Sequence, residues 1–430
     1  MEIRHFRTQY GVGQGSFHAA HIELKSSSGE VASFDYVYDC GGLTAGKQSA
    51  ATRRALAHYE PRPSQHGSAI DALILSHYDS DHINGAEHLA NRHQVYRIYL
   101  PYLSPGLLLL ELARCAVDAN DATMAALYAG AFGGALWGGD VVRVRRGTRR
   151  TEPGSGPPEE TTENTPRPPD AAEEPKTLNC VLGNGLPVPA QLDDTATVFI
   201  EGTGSAKFWA LKFWNFSLDS EELQLIVATL LDGIGFPLAA LERPNGAAEV
   251  LAWIDRKGNR GKVHLAYRLA IGEYSKATPA AARMPNLCSL ALFSGPLEPD
   301  RESDYFVSPL PYTTRWYPLS NRRAWLGTGD ALLGEKNIGD DFFHHFQNEL
   351  PQVGTYLVPH HGAAPEGGPG FYDDRLNAQP GTLAVISAGA QNAYGHPRQA
   401  VLREILRNSG SLLIVTEHCW PGMLEYLALT

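Results

Sequence analysis

Short apolar runs bounded by polar or turn residues recur along the chain and predict buried β-strands. They span residues 36–40, 72–76, 97–100, 290–293, 324–326, 355–358, 383–387 and 412–416. An amphipathic helix is predicted over 219–231, because Leu223, Ile226 and Leu230 recur at helical spacing after the polar residues that precede them. Strands interspersed with helices predict an α/β fold.

Two polar segments interrupt this pattern. Residues 147–176 contain many Pro and Glu residues and no large apolar residue, so we expect a disordered acidic Pro-rich loop. Just before and overlapping it, residues 141–150 alternate valine with arginine and then cluster arginines. This pattern favours a solvated edge strand whose charges prevent sheet-to-sheet pairing, and a contact to a phosphate backbone is the alternative.

Composition and charge narrow the class of protein. The 430 residues are 43% hydrophobic and carry a net charge of −11, so an anionic substrate would need a local basic patch or a metal. Five scattered cysteines without a C-x-x-C pair, and charges in the first ten residues, favour a cytoplasmic protein. Residues 122–139 lack charges but are rich in Ala and Gly, so we expect no membrane span.

One segment concentrates the candidate chemistry. The strand over 72–76 runs directly into four side chains of ligand type, His77, Asp79, Asp81 and His82. A turn at the end of a strand lets alternate side chains face one cavity, so His77 and Asp79 can bind one metal. Asp81 and His82 can then bind a second metal about 3.5 to 4 Å away. Two carboxylates and two imidazoles suit two divalent ions, Zn²⁺ or Mn²⁺.

The spacing H-x-D-x-D-H resembles the second motif of the metallo-β-lactamase superfamily, H-x-H-x-D-H, with Asp79 in place of the middle histidine. This variant is similar to the soluble metallo-hydrolase domain of ComEC-type DNA-uptake proteins and their free-standing relatives. Further segments resemble that family in the same order. They are V-G-Q-G at 12–15, D-C-G-G at 39–42, N-L-C-S at 286–289, T-G-D at 328–330, H-H-G at 360–362, S-A-G at 387–389 and N-A-Y-G-H-P at 392–397.

The resemblance implies a role for several residues around the metals. Asp330 would bridge the two ions, and Asp39 would support the metal loop from behind. Asn286 lies where other members of the superfamily place a third metal-binding histidine. Ser289, three residues later in the same N-x-x-S segment, is expected at the same centre.

Three histidines near the carboxyl terminus complete the expected site. Only one of His360 and His361 is expected to bind metal directly. We favour His361 as the ligand, with His360 contacting the scissile phosphate. His396 is expected to assist catalysis, and the alternative is that it caps the turn before Pro397.

The fold implied by the resemblance is the metallo-β-lactamase αββα sandwich with a long inserted α/β lobe. Residues 1–102 and 284–430 would form the two halves of the core, and residues 103–283 the insertion. An aromatic run lies within the insertion and consists of Phe208, Trp209, Phe213, Trp214 and Phe216. Core packing is the favoured interpretation of this run, and base stacking the alternative.

The leading hypothesis for function is a nuclease or phosphodiesterase that acts on DNA or a related phosphodiester, for example in defence against phage. A hydroxide activated by two metals would be the nucleophile, with Asp81, His360 and His396 at the reacting centre. A second hypothesis is hydrolysis of a small ester, lactone, lactam or cyclic nucleotide. A third is a binding or regulatory module with a structural metal site, in which the insertion docks a protein partner. The oligomeric state stays open.

Overall fold

The computed structural model describes residues 1–44, 47–62, 68–115, 121–147, 178–181, 190–202, 207–217, 220–237, 239, 246–254, 256, 258–277, 288–299, 303–310, 313–315, 322–334, 336–363, 382–390, 392–407 and 411–430. In these residues the strands are β1 Glu2–Tyr10, β2 Phe17–Lys25, β3 Val31–Cys40, β4 Leu43–Thr44, β5 Lys47–Gln48, β6 Ala69–Ile74, β7 Gln94–Pro101, β8 Ala135–Leu136, β9 Gly139–Arg145, β10 Leu178–Val181, β11 Gln191–Asp193, β12 Thr197–Glu201, β13 Lys207–Ser217, β14 Cys288–Pro296, β15 Ser303–Leu310, β16 Thr313–Arg315, β17 Ala324–Gly327, β18 Val353–Leu357, β19 Leu383–Ser387, β20 Ser411–Val415 and β21 Gly422–Leu429. The helices are α1 Ala50–His58, α2 Ser80–Ile83, α3 Ala86–Arg92, α4 Pro105–Cys115, α5 Asp121–Phe132, α6 Ser220–Ile234, α7 Gly246–Ile254, α8 Asn259–Ala277, α9 Lys336–His345 and α10 Gln399–Arg407.

Two large sheets form the centre of the fold. In the first sheet the strand order is β11-β9-β7-β6-β3-β2-β1-β21-β15-β16, and in the second it is β10-β12-β13-β14-β17-β18-β19-β20. Strands β3, β6, β7, β9 and β11 run parallel, as do β17, β18, β19 and β20. Each sheet therefore has one edge at which several carboxyl ends of strands meet.

The two sheets pack face to face, and helices cover their outer faces. Between the sheets, Tyr99 of β7 stacks on Phe213 of β13 with ring centroids 5.0 Å apart. The Tyr38 hydroxyl of β3 donates a hydrogen bond to the Leu290 carbonyl of β14 at 2.7 Å. A second apolar cluster includes the helices α4, α6 and α8, which contact one another, together with strand residues of both sheets, and Leu107, Leu230 and other leucines in it are almost fully buried. This is the α/β sandwich that the sequence predicts.

All eight predicted strands and the predicted helix are present, with ends that differ by a few residues. No helix in the described ranges is long and apolar enough to cross a membrane. The predicted acidic loop over 147–176 lies outside the described residues, apart from Gly147.

The segment 103–283 contributes strands to both sheets. Strands β9 and β11 extend the first sheet, and β12 and β13 lie beside β14 in the second. The aromatic run belongs to β13 and its side chains are buried, so it packs in the core, as the favoured interpretation predicts. How the chain divides into domains stays a prediction.

The prediction that residues 141–150 form an edge strand is wrong for β9. This strand lies between β7 and β11, and its backbone pairs with residues of both. Its arginines are bound locally: Arg143 Nη1 donates to the Ala131 carbonyl at 2.8 Å, and Arg145 pairs with Asp193. Pairing with the short strand β11 covers the backbone that the charges were expected to protect.

Candidate metal centre

The candidate side chains meet where parallel strands of both sheets end. Asp39 is near the end of β3, and the segment 76–82 follows β6 into α2. From the second sheet, Asp330 follows β17 and the two histidines 360 and 361 follow β18. Because carboxyl ends of parallel strands share one edge of a sheet, residues that are hundreds of positions apart converge here.

The backbone at this edge adopts conformations that are rare for residues with side chains. Asp39, His360 and His361 have φ angles of 57°, 47° and 54°. Gly329 has φ 54°, and a Cβ there would lie 2.8 Å from both Ser289 Oγ and Ser76 Cβ, so only glycine fits before Asp330. Strained backbone of this kind clusters at functional sites.

Five of the six predicted metal ligands bring donor atoms into one cluster. His82 Nε2 lies 3.3 Å from Asp330 Oδ1 and 3.3 Å from His361 Nε2. His361 Nε2 lies 3.4 Å from Asp81 Oδ2, and His77 Nε2 lies 3.7 Å from Asp330 Oδ2. Among the described residues, two donor sets are compact enough for an ion, His77 with His82 and Asp330, and Asp81 with His82 and His361.

Hydrogen bonds behind the cluster hold the Nδ1 atom of each histidine and direct its Nε2 atom inward. His361 Nδ1 contacts the Ser387 carbonyl at 2.7 Å, and His82 Nδ1 contacts Asp39 Oδ2 at 2.8 Å, so both Nδ1 atoms donate. Ser76 Oγ donates to Asp39 Oδ2 at 2.8 Å and therefore accepts from His77 Nδ1 at 2.8 Å. In all three rings Nε2 therefore faces the cluster and can bind a metal once it carries no proton.

These residues fit divalent ions on two counts. The buried His77 Nε2 has no hydrogen-bond partner among the described residues, which is costly unless something else binds it. Ligands about 2.0 to 2.2 Å from a tetrahedral ion lie about 3.3 to 3.6 Å from one another, and the donor distances above fall close to that range. The mixture of imidazoles and carboxylates suits Zn²⁺ or Mn²⁺.

Without an ion, protons balance the charges of the cluster. Burial opposes ionisation of Asp330, but His360, His82 and His361 outweigh it and hold the pKa of Asp330 well below its usual range. Burial likewise opposes charge on His82, yet Asp330 and Asp39 raise the pKa of His82 well above its usual value. Burial lowers the pKa of His77, which stays neutral. Binding of an ion must therefore displace a proton, and affinity should fall in acid.

Asp79 stands partly outside the cluster. Its Oδ2 lies 3.7 Å from His77 Nε2, while its Oδ1 pairs with Arg114 Nη1 at 2.5 Å. It belongs to neither of the two compact donor sets. Burial raises the pKa of Asp79 to about 6, and Arg114 acts in the opposite direction.

The other predicted residues lie at different depths. His360 Nε2 is 3.6 Å from Asp330 Oδ2, and its side chain is one quarter exposed at the opening of the site. His396 is farther out, with its ring centroid 5.6 Å from that of His360. Ser289 is buried beside Gly329, and its Oγ has no hydrogen-bond partner among the described residues. Asn286 lies outside the described residues.

Comparison with known proteins agrees with this geometry. The model of the metallo-beta-lactamase superfamily matches residues 34–159, which include Asp39, the segment 76–82 and Arg114. The chain contains a metallo-β-lactamase superfamily domain. That match runs well into the segment 103–283, as expected from strand β9.

Comparisons with curated protein sequences and with solved structures do not assign an activity to the chain. No curated protein sequence matches the chain. Solved structures that match include a long-form RNase Z from yeast, with 10% sequence identity and a TM-score of 0.30. The alignment covers 90% of this chain and 37% of that one, so this chain spans little more than a third of that protein's length.

The metallo-β-lactamase domain also uses residues that the motifs do not reveal. Ser76 orients His77, and the Ser387 carbonyl orients His361. Ser76 could have been suspected from its place directly before the first histidine of the motif. Arg114 and Glu111 lie on α4, and nothing in their local sequence indicates that Arg114 reaches Asp79 while Glu111 holds Arg114.

Proposed function

We propose that the protein is a metal-dependent hydrolase that cleaves phosphodiesters, with nucleic acid as the main substrate class. The convergence of His77, Asp81, His82, Asp330 and His361 on one buried cluster carries this proposal. When bound, two divalent ions would lower the pKa of a water and offset negative charge on phosphate oxygens. Each of the two compact donor sets offers three protein ligands, which would leave a fourth position for water or substrate that a closed structural site lacks.

The chain's own residues supply the remaining steps. His360 reaches the opening of the cluster, where a phosphate oxygen would approach. Burial lowers the pKa of His360 despite the charge of Asp330, so a neutral ring N–H is available to donate to that oxygen. Burial also lowers the pKa of His396, to about 4, with His360 acting in the same direction. At neutral pH His396 therefore contributes a hydrogen bond rather than an imidazolium proton.

The position of His396 is fixed by its loop. Asn392 Nδ2 donates to the His396 carbonyl at 2.6 Å, and the His396 backbone N–H donates to Asn392 Oδ1 at 3.0 Å. The His396 ring is 56° from the plane of the His360 ring and lies toward solvent, next to the exposed Tyr394. A substrate that reaches His360 from solvent would pass the rings of Tyr394 and His396.

A small phosphodiester, such as a cyclic nucleotide, is the second candidate. A pocket next to the cluster is lined by Asp39, His82, Asp330, His361 and Ser387 and has a volume of about 20 Å³, the room for about one water. It can therefore take only the reacting group of a substrate, whose remainder must lie at the opening. The net charge of −11 disfavours long polyanions.

The proposed activity is tested with the purified full chain loaded with Mn²⁺ or with Zn²⁺. Supercoiled plasmid and bis(p-nitrophenyl) phosphate are the two substrates. Nicking or linearisation of the plasmid that EDTA and Asp330→Asn abolish supports a nuclease. Hydrolysis of the small diester alone supports the second candidate. Turnover of neither substrate by the metal-loaded protein contradicts the proposal.

A further inference from the structure

Arg114 connects the segment 103–283 to the metal loop. This residue is near the end of α4, and its Nη1 lies 2.5 Å from Asp79 Oδ1. Its Nη2 and Nε both contact Glu111 Oε2, at 2.6 and 3.0 Å, one turn earlier on the same helix. Glu111 is buried, and the Arg114 side chain is 16% exposed.

The contacts of Arg114 with Glu111 and Asp79 differ from those of an ordinary ion pair on the surface. Charges removed from water are costly, and a buried guanidinium is retained only where its geometry and its partners compensate for the lost hydration. Here Glu111 fixes two nitrogens of the planar guanidinium, and the third nitrogen is directed at Asp79. The rigid fork of arginine makes this arrangement directional in a way that a lysine ammonium is not.

The two carboxylate oxygens of Asp79 have different partners. Asp79 precedes α2 as its N-cap residue, yet its side chain makes no capping hydrogen bond. One oxygen is held by Arg114, and the other faces His77 Nε2 at 3.7 Å. An aspartate is shorter than the histidine that it replaces in the superfamily motif, so its orientation depends on what holds its second oxygen.

We propose that Arg114 is a positioning residue of the metal centre, which fixes Asp79 so that Oδ2 faces the ion bound by His77. This inference deepens the proposed function and rests on it for the presence of that ion. It gives α4, and thereby the segment 103–283, a direct part in the site. It also explains how a carboxylate can replace a histidine at position 79.

Cobalt titration of the metal-free full chain tests this role without relying on turnover. We expect Arg114→Met to weaken binding at one of two Co²⁺ sites by about 10- to 100-fold, the range typical for residues that orient ligands. The visible absorption spectrum of that Co²⁺ should change as well. Arg114→Lys should restore part of the affinity, because it keeps the charge, but not the wild-type spectrum.

Arg92→Met is the matched control. Arg92 also pairs with a glutamate and caps a helical carbonyl, but it does so between α1 and α3, through Glu60 and Leu56. This variant should bind two Co²⁺ ions with wild-type affinity and spectrum. Should Arg114→Met fail to fold, Glu111→Gln keeps the contact with Asp79 and should produce a smaller change in the same direction.

A purely structural role predicts a different result. A lower melting temperature of the Arg114 variants with unchanged Co²⁺ affinity and spectrum would overturn the inference, and so would Glu111→Gln without any spectral change. If the cobalt results hold but no phosphodiester is cleaved, only the proposed function fails.

Discussion

Asp39 shows how much of the site depends on residues that do not face the donor cluster. Its Oδ2 accepts from both His82 and Ser76, and its Oδ1 accepts from the Ser76 backbone N–H at 2.7 Å. One carboxylate thereby sets the tautomers of two candidate ligands. The four ligand-type residues of 77–82 are adjacent in sequence, so they could be predicted from it. Arg114 could not, because only the fold brings α4 to Asp79.

At the same scale, Asp81→Ala should abolish hydrolysis without unfolding the protein. The change removes the oxygen 3.4 Å from His361 Nε2, while the side chain contributes little to core packing. We expect kcat/KM to fall at least about 100-fold and one bound ion to be lost. Metal analysis and a urea unfolding curve measure these effects. Glu87→Gln changes an exposed carboxylate on α3 and should alter neither kcat/KM nor the metal content. An Asp81→Ala protein that keeps its full metal content and its turnover would show that the reaction takes place elsewhere.

The strands that could be predicted from the sequence are those with apolar residues on both faces. Strand β1 was not predicted, because its inward-facing positions after Ile3 are His5, Arg7 and Gln9. Arg7 forms a buried ion pair with Glu425 of β21 at 2.9 Å, and Glu425 accepts from Thr355 of the second sheet at 2.6 Å. In a sequence, polar residues at alternate positions are typical of a strand on the surface, although those of β1 face the interior.

Removing the cation of this pair should be costly. Arg7→Met leaves the buried Glu425 without its counter-charge, so we expect the free energy of unfolding to fall by about 3 to 5 kcal/mol. The double variant Arg7→Met with Glu425→Met removes both charges and should recover most of that loss. Urea unfolding measures all three proteins, and equal instability of the single and double variants would show that packing, not charge, is responsible.

For the whole molecule, the apolar runs predict the class of fold but not the order of strands in the sheets. That order depends on contacts between distant segments, such as Tyr99 with Phe213 across the sandwich. The segment 103–283 shows this best, since its strands complete both sheets although its sequence resembles an insertion. The family motifs stop at the boundaries of this segment, so the sequence does not reveal that its strands join the two sheets.

The pH dependence of folding should depend in part on Asp71. Burial, with the charge of Asp35, raises the pKa of Asp71 to about 7, although the Asp35 backbone N–H opposes the shift. Since the folded carboxyl binds its proton more tightly than the unfolded one, its contribution is full below about pH 4 and is lost as the pH rises through 7. Asp71→Asn should therefore stabilise the protein by up to about 4 kcal/mol at pH 8 and leave it unchanged at pH 4.

Urea unfolding of metal-free protein at the two pH values checks this expectation. Asp140→Asn, at an exposed carboxylate of β9 in the same sheet, is the control and should have no effect at either pH. An equal gain from Asp71→Asn at pH 4 and pH 8 would mean that the stabilisation does not come from titration.

One cluster of side chains from both sheets is expected to bind two divalent ions. Anomalous diffraction from crystals of the metal-loaded chain, collected at the absorption edge of Zn or Mn, tests it most directly. We predict two peaks, both within about 2.0 to 2.3 Å of His82 or Asp330, with His77 at one peak and Asp81 and His361 at the other. Absence of any peak within that distance of His82 and Asp330, with metal bound elsewhere on the chain, would contradict the account.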